Sequence, residues 1–469
     1  MERYQWFLQK SGIDFKQYQY DGVQWCLQRE TEQLLIHTDE QTEEKMCQPP
    51  IYGGIIADEM GLGKTIMMIA TFVVHFVPKT LIVLPNIILD QWRTEIFRTT
   101  GHKVLMYHGL NKKNTTLEQL NAATIVITTY HSMFGHNGSN SLLHDVEWDR
   151  IVFDEAHHLR NKTIVYLSAK KLRSKIRWLI TGTPIQNREK DLLRLYSILQ
   201  IPQTFYKKYS AQLLQNIVLK RSKKDVGIYL PDLHVDNLSV LWENNHERTL
   251  SQALHDAIPF AHPLDKLKLY TKARQSCILS SLLKADISPN ILNDSIPNKP
   301  LFYSLALLGA SKVHSVVQSV LANKANGKGK LIFCHFRDEI DFILQSLREG
   351  GISTICAFDG RLNQAERLHC LTQQFEVIVL QIQTGCEGLN LQKNFSEIYF
   401  VSPHWNPAIE DQAIARCHRI GQTQPVNVFR FYMDNFIPFP EEEDQKLTLD
   451  KYILSVQNNK RDIYTSVFK

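Results

Sequence analysis

Residues 58–65 read DEMGLGKT, and residues 154–157 read DEAH. A glycine-rich turn ending in Gly-Lys-Thr can cradle phosphate oxygens on backbone N–H groups at a helix N-terminus. Gly61 and Gly63 allow that turn, Lys64 can reach β- and γ-phosphates, and the Thr65 hydroxyl can ligate Mg²⁺. Two carboxylates at a strand end do complementary work. Asp154 can hold the metal, usually through water, and Glu155 can orient and polarise an attacking water. Together the strings predict an NTP hydrolase. A glycine-rich turn alone often only closes a strand–helix corner, and carboxylates at a strand end are commonly just solvated. The generic phosphate loop also asks for glycine where this chain has Asp58. His157 and His158 do not complete an H-E-x-x-H zinc pattern, so a contact role suits them better.

These groups need a scaffold. IYGGIIA (51–57) reads as a buried strand and IMMIATFVVHFV (66–77) as a helix. Short β-branched runs recur through the first half: TLIVLP (80–85), TIVITT (124–129), RIVFDE (150–155) and RWLITG (177–182). The second half repeats the habit with KLIFCHF (330–336), ISTICAF (352–358), EVIVLQI (376–382), EIYFVS (397–402) and VNVFRFY (426–432). Strands alternating with helical stretches predict an α/β fold with two parallel sheets, one per half. Residues 203–285 read as mainly helical, 286–300 (DISPNILNDSIPNKP) as a linker and 37–50 as a polar loop.

The 469 residues suggest two to four domains at ~100–200 residues each. A net charge of +5 does not by itself announce nucleic acid, although a local channel can still be positive. None of the eight cysteines forms a C-x-x-C pair, which predicts reduced, intracellular thiols and no zinc finger or RING. No uninterrupted apolar stretch of membrane-spanning length and no signal-like N-terminus are evident, so no membrane partner is expected.

The second half has no phosphate loop. It carries QTGCEGLNLQ (383–392), a glycine-containing turn after a strand, and DQAIARCHRIGQ (411–422). The latter is expected to set Arg416 and Arg419 on one helix face. Such arginines are more often surface salt-bridge partners, but their guanidinium forks also suit γ-phosphate charge.

The ordered set resembles the SWI/SNF-type helicase-like ATPases of helicase superfamily two, over about residues 12–432. YQYDGVQW (18–25) is similar to the adenine motif with its glutamine, DEMGLGKT to motif I and LIVLPNIILDQWRTEI (81–96) to motif Ia. ITTYHSM (127–133), DEAHH (154–158) and ITGTPIQN (180–187) resemble motifs Ib, II and III. FCHFRDEID (333–341), QTGCEGLNL (383–391) and WNPAIEDQAIARCHRIGQ (405–422) resemble motifs IV, V and VI. IVLKRSKKDV (217–226) resembles the stretch closing the family's first lobe. Asp58 in the phosphate loop is itself a family trait, and HRIGQ separates this family from ordinary RNA helicases.

The resemblance implies two RecA-like parallel-sheet lobes in tandem with a helical insertion between them. Lobe 1 would span 1–202, the insertion with closing segment and linker 203–300, lobe 2 301–435, and a C-terminal brace or tail 436–469. Gln19 would read adenine, and Asp58, Glu59, Met60, Gly61, Leu62, Gly63, Lys64 and Thr65 would surround the phosphates of ATP. Thr65 and Asp154 would hold Mg²⁺, Glu155 would activate water, and Arg416 and Arg419 would act as arginine fingers. Thr181 to Thr183 would couple hydrolysis to lobe movement, and Thr128, Thr129, Arg337, Thr384 and Trp405 would lie along a DNA track. The implied activity is translocation of a monomer on double-stranded DNA, remodelling DNA-bound proteins such as nucleosomes or transcription machinery in a nucleus. LKRSKKD (219–225) has the composition of a nuclear-import cluster, but its overlap with a family motif favours a structural role. Two alternatives stay open: a strand-separating DNA or RNA helicase, and a nucleic-acid-binding transcription factor with a vestigial ATPase.

Overall fold

Successive residues of the central strands feed different cores. In the first sheet Ile55, Leu81, Val83, Ile151, Phe153 and Leu179 pack on one face, while Ile56, Ile82, Leu84, Val152 and Ile180 pack on the other. Strands covered on both faces are apolar throughout rather than alternating, which is why these segments read as continuous runs. The second sheet follows the same rule, with Ile332, Val377 and Tyr399 on one side and Leu331, Ile378 and Ile398 on the other.

The computed structural model describes residues 2–37, 44–46, 50–185, 190–284, 298–363, 366–367, 369–370, 373–385, 389–436 and 446–467. The chain divides into two compact units, Met1–Tyr229 with Ile463–Lys469, and Leu230–Asp462. Both are α/β units built on an all-parallel sheet.

The first sheet runs in the order Leu105–Tyr107, Ile125–Thr129, Thr80–Leu84, Glu147–Asp154, Arg173–Ile180, Tyr52–Ile56 and Val218–Leu219. Because every pair is parallel, the strand before the phosphate loop and the strand before DEAH end on the same edge of the sheet. One strand, Arg173–Ile180, separates them. The adenine-motif helix Gln17–Thr31 is pinned to this sheet by Glu30. That buried carboxylate accepts from Arg150 Nε at 2.6 Å and Trp178 Nε1 at 2.7 Å, and it pairs with His75. Burial alone would raise its pKa, but the hydrogen bonds from His75, Arg150 and Trp178 hold it below the ordinary value.

The second sheet runs Leu233–Val240, Val426–Met433, Phe395–Phe400, Gly329–Cys334, Val377–Gln381 and Ile355–Phe358. Its first strand lies in a region expected to be mainly helical. Leu233–Val240 (LHVDNLSV) pairs in register with Val426–Met433 along its whole length, and most of its side chains are exposed. An edge strand with so little apolar content carries no clear periodic signal; its ladder partner makes it a strand. The helices Asn245–Ala257 and Pro263–Ile278, expected as an insertion between lobes, belong to this second unit. Ala273 and Cys277 share a core with Ile332 and Val377. Most of the expected linker lies outside the described residues. The tail contributes the helix Leu449–Val467, whose Asp450 is fully buried, pairs with Lys312 and accepts from Met433 N at 2.8 Å.

One further expectation, that the thiols are reduced, is corrected. Cys356 and Cys370 form a disulfide, because the chain turns after Ile355–Phe358 and brings their Cα atoms to 6.3 Å. Cys26, Cys277, Cys334 and Cys417 are free and buried, and Cys47 and Cys386 lie outside the described residues. The run Lys299–Asn326 is long and apolar enough to cross a membrane by composition. It breaks between the helices Lys299–Ala306 and Ser311–Ala322, and Val313, Val316 and Val320 are core residues of the second unit.

Candidate nucleotide site

The phosphate loop joins Tyr52–Ile56 to the helix Lys64–Val74. Gly61 (φ 92°) and Gly63 (φ 79°) both occupy the left-handed region, where a side chain is strained. At Gly63 an added Cβ would also stand 2.5 Å from Gln19 Nε2. The Gln19 amide itself donates to the Leu62 carbonyl at 3.3 Å, so the adenine-motif glutamine rests on the loop. Met60 borders Gly182, whose hypothetical Cβ would meet Met60 Cε at 3.1 Å and Lys64 Nζ at 3.8 Å. The ITGTP turn thus passes beside the loop lysine. Thr181 N–H donates to the Ile56 carbonyl at 3.0 Å and extends the sheet to this point.

Lys64 donates to the carbonyls of Asp58 at 2.9 Å and Glu59 at 3.4 Å. Its ammonium therefore sits over the loop's own backbone, from which it can transfer to phosphate oxygens. The loop's acidic start is gripped from the far end of the unit. Arg221 donates through Nε to Asp58 Oδ1 at 3.1 Å and through Nη2 to Oδ2 at 2.6 Å. A third donation, from Nη1, reaches the Tyr18 carbonyl at 2.6 Å. Lys223 binds Glu59 through its backbone N–H at 2.8 Å and through its ammonium. Behind these pairs, Val218–Leu219 adds a strand beside Ile55 and Ile56, and Glu59 N–H donates to the Arg221 carbonyl at 2.9 Å. Arg221 and Lys223 within LKRSKKD are therefore committed to the loop, in agreement with the structural reading.

Asp154 ends its strand with 7% of its surface exposed. Its Oδ2 accepts from Trp92 Nε1 at 2.6 Å, its Oδ1 from Glu155 N–H at 2.9 Å, and its carbonyl from the Tyr130 hydroxyl at 2.7 Å. Glu155 turns at φ 49°, a left-handed conformation unusual for glutamate, and its Oε2 lies 3.1 Å from His157 Nδ1. Burial, together with the neighbouring Glu155 charge, pushes the Asp154 carboxyl up to about 7. Two adjacent carboxylates with that imbalance fit a hard divalent cation, whose charge relieves it. Asp154 would hold Mg²⁺ with Thr65, the second residue of the loop helix.

Thr128 is fully buried and donates to the Tyr107 carbonyl at 2.8 Å; Thr129, also buried, donates to Ser132 Oγ at 2.9 Å. Both hydroxyls are thus used inside the fold. Arg337 is exposed and opens the helix Arg337–Glu349. Trp405 is half-buried, edge-on to Tyr270 and Tyr452 at 6.1 Å from each. The Thr384 side chain lies outside the described residues. Arg416 and Arg419 do not share a helix face, because the helix Pro407–Ile414 ends before them. The Arg416 carbonyl accepts from Leu391 N–H at 3.1 Å, and the Cys417 carbonyl from Gln422 Nε2 at 3.3 Å, which takes both out of the helical ladder. The two guanidinium groups reach the same short segment, Arg416 donating to the Leu389 carbonyl at 3.4 Å and Arg419 to Asn390.

The site also uses Trp92, Tyr130, Arg221 and Lys223, which sequence alone does not single out. All four lie inside quoted motifs, but nothing in their local spacing names their partners.

A phosphate loop beside a DEAH strand end, with a second parallel α/β unit following in the chain, defines a helicase-like ATPase. The model of the SNF2-related domain matches residues 18–293, and that of the helicase conserved C-terminal domain matches 311–421. The chain belongs to the SNF2-related ATPase family. It is 27% identical to the "Probable global transactivator" of Orgyia pseudotsugata multicapsid polyhedrosis virus, over 96% of this chain and 91% of the viral one. It is 28% identical to the ISWI chromatin-remodeling complex ATPase ISW2 of Saccharomyces cerevisiae and 25% identical to an uncharacterized ATP-dependent helicase of Mycoplasma genitalium. In each of those cases 96% of this chain aligns with only 42% of the relative. A solved Sulfolobus solfataricus SWI2/SNF2 ATPase core in complex with dsDNA matches at 22% identity with a TM-score of 0.41, covering 91% of this chain and 89% of that one.

Proposed function

We propose that the chain is an ATP-dependent double-stranded DNA translocase that remodels protein–DNA complexes. The observation that carries this is the equipped nucleotide site. Lys64 is poised at the loop, Asp154 is oriented by donors on both oxygens, and Glu155 stands beside it. A vestigial ATPase would have no need of that set. Gln19 would select adenine, Lys64 would neutralise the β/γ-phosphates, and Mg²⁺ held by Thr65 and Asp154 would offset charge on the transferred phosphoryl group. Glu155 would orient the attacking water, and Arg416 and Arg419 would stabilise charge in the transition state. Exposed Arg337 is the strongest of the proposed DNA contacts, with Trp405 as a second.

The likeness to a viral transactivator along nearly its whole length supports a role in transcription regulation, and so a nuclear site of action. DNA-bound proteins, nucleosomes among them, are the proposed targets. A triplex-displacement assay tests the activity: ATP-dependent release of the third strand is expected, while a forked duplex stays paired. Efficient fork unwinding would instead make the chain a strand-separating helicase.

A further inference from the structure

We propose that Trp92 is a positioning residue that sets the direction in which Asp154 presents its carboxylate to the metal. The proposal rests on the assignment of Asp154 to Mg²⁺. Among the described residues each Asp154 oxygen accepts one hydrogen bond, Oδ2 from the Trp92 indole N–H at 2.6 Å and Oδ1 from the Glu155 N–H at 2.9 Å. A carboxylate held at both oxygens cannot swing about its terminal bond, so its remaining lone pairs keep one orientation. The Tyr130 hydroxyl fixes the same residue from behind, through the backbone carbonyl at 2.7 Å.

Trp92 is itself immobilised. It is 1% exposed and belongs to a core with Met68, Ile96 and Val152. Its helix, Leu89–Thr100, follows the strand Thr80–Leu84, which pairs directly with the strand that ends in Asp154. The register between those strands therefore sets where the indole meets the carboxylate. A tryptophan whose N–H only needed a partner could take any nearby carbonyl, as Trp148 does at Leu143. Trp92 spends its single donor on the oxygen of the metal-holding carboxylate. Donors to metal-binding carboxylates commonly change metal affinity by about 10–100-fold.

The test uses the full chain and Mn²⁺ as a spectroscopic stand-in for Mg²⁺. Mn²⁺ binding with ADP is measured by electron paramagnetic resonance for the parent, Trp92→Phe and Tyr130→Phe. Trp92→Phe keeps an aromatic ring in the core and removes the donor, so Mn²⁺ affinity is expected to fall about tenfold. Metal-free ADP affinity should stay within about twofold, and Tyr130→Phe should have the smaller effect on Mn²⁺ because the carboxylate keeps both donors. In the parent, the ¹⁵N-indole resonance of Trp92 should move when Mg²⁺ and ADP are added, a readout that does not depend on the variant folding. Equal Mn²⁺ affinity in a folded Trp92→Phe, or an indole resonance indifferent to Mg²⁺, overturns the proposal. A parent that takes up no Mn²⁺ with nucleotide would remove the Asp154 assignment itself, and the proposal with it.

Discussion

Arg221 and Asp58 meet in a two-pronged ion pair across 163 positions of sequence, with distances of 3.1 and 2.6 Å. The pair explains why a carboxylate stands where a generic phosphate loop has glycine. Asp58 is 1% exposed, and Arg221 supplies the charge that such burial demands. The same guanidinium holds the Tyr18 carbonyl, one residue before Gln19, so one side chain ties the adenine motif to the phosphate loop. A double-mutant cycle with Asp58→Asn and Arg221→Gln should show coupling of about 1–3 kcal/mol in unfolding free energy. Nucleotide affinity should weaken in both single variants. Additive effects would show that the contact does not hold the loop.

Lys64→Ala and Glu155→Gln should separate binding from chemistry. The first removes charge-assisted contacts to phosphate and should lose both nucleotide binding and turnover. The second keeps the shape of the side chain without its charge and should retain ATP unhydrolysed. Parent-rate hydrolysis by Glu155→Gln would end its assignment as the group that orients water.

Glu30 carries a stability prediction. Glu30→Gln leaves Arg150, itself 1% exposed, without its counter-charge and should cost about 3–5 kcal/mol by denaturant titration. Because the folded pKa of Glu30 lies below the unfolded one, its contribution is present above the unfolded value and is lost as pH falls through the folded value. The gap between parent and variant should therefore close on acidification; a gap that widens toward low pH would contradict the assignment.

The candidate site is legible in sequence where it depends on a string, and hidden where it depends on a meeting. Gly61 and Gly63 turn the loop through local backbone geometry, so the turn is legible in their spacing. The all-apolar strands announced two parallel sheets for the same reason. Trp92 reaches Asp154 across 62 positions and Arg221 reaches Asp58 across 163, and only the folded sheet brings either pair together. Leu233–Val240 carries no such signal because an exposed edge strand needs few apolar residues. Arg416 and Arg419 look helical by spacing, yet Leu391 N–H and the Gln422 side chain take the carbonyls that would have continued the helix.

Arg416→Ala and Arg419→Ala test the proposed fingers. Groups acting on transition-state charge in phosphoryl transfer are worth ~10³–10⁵ in rate, whereas surface ion pairs are worth ~0–1 kcal/mol. Single-turnover hydrolysis should fall by at least ~10³ while nucleotide affinity holds. Parent-like turnover in both variants would return the arginines to a purely structural role.

Duplex DNA is the proposed substrate that drives this ATPase. Steady-state ATP hydrolysis with no nucleic acid, duplex DNA, single-stranded DNA and RNA, measured in parallel over a salt series, tests it most directly. The largest stimulation is expected from duplex DNA, weakening steeply as salt displaces phosphate contacts. Equal or greater stimulation by RNA or by single strands, or a rate indifferent to all four conditions, would contradict it.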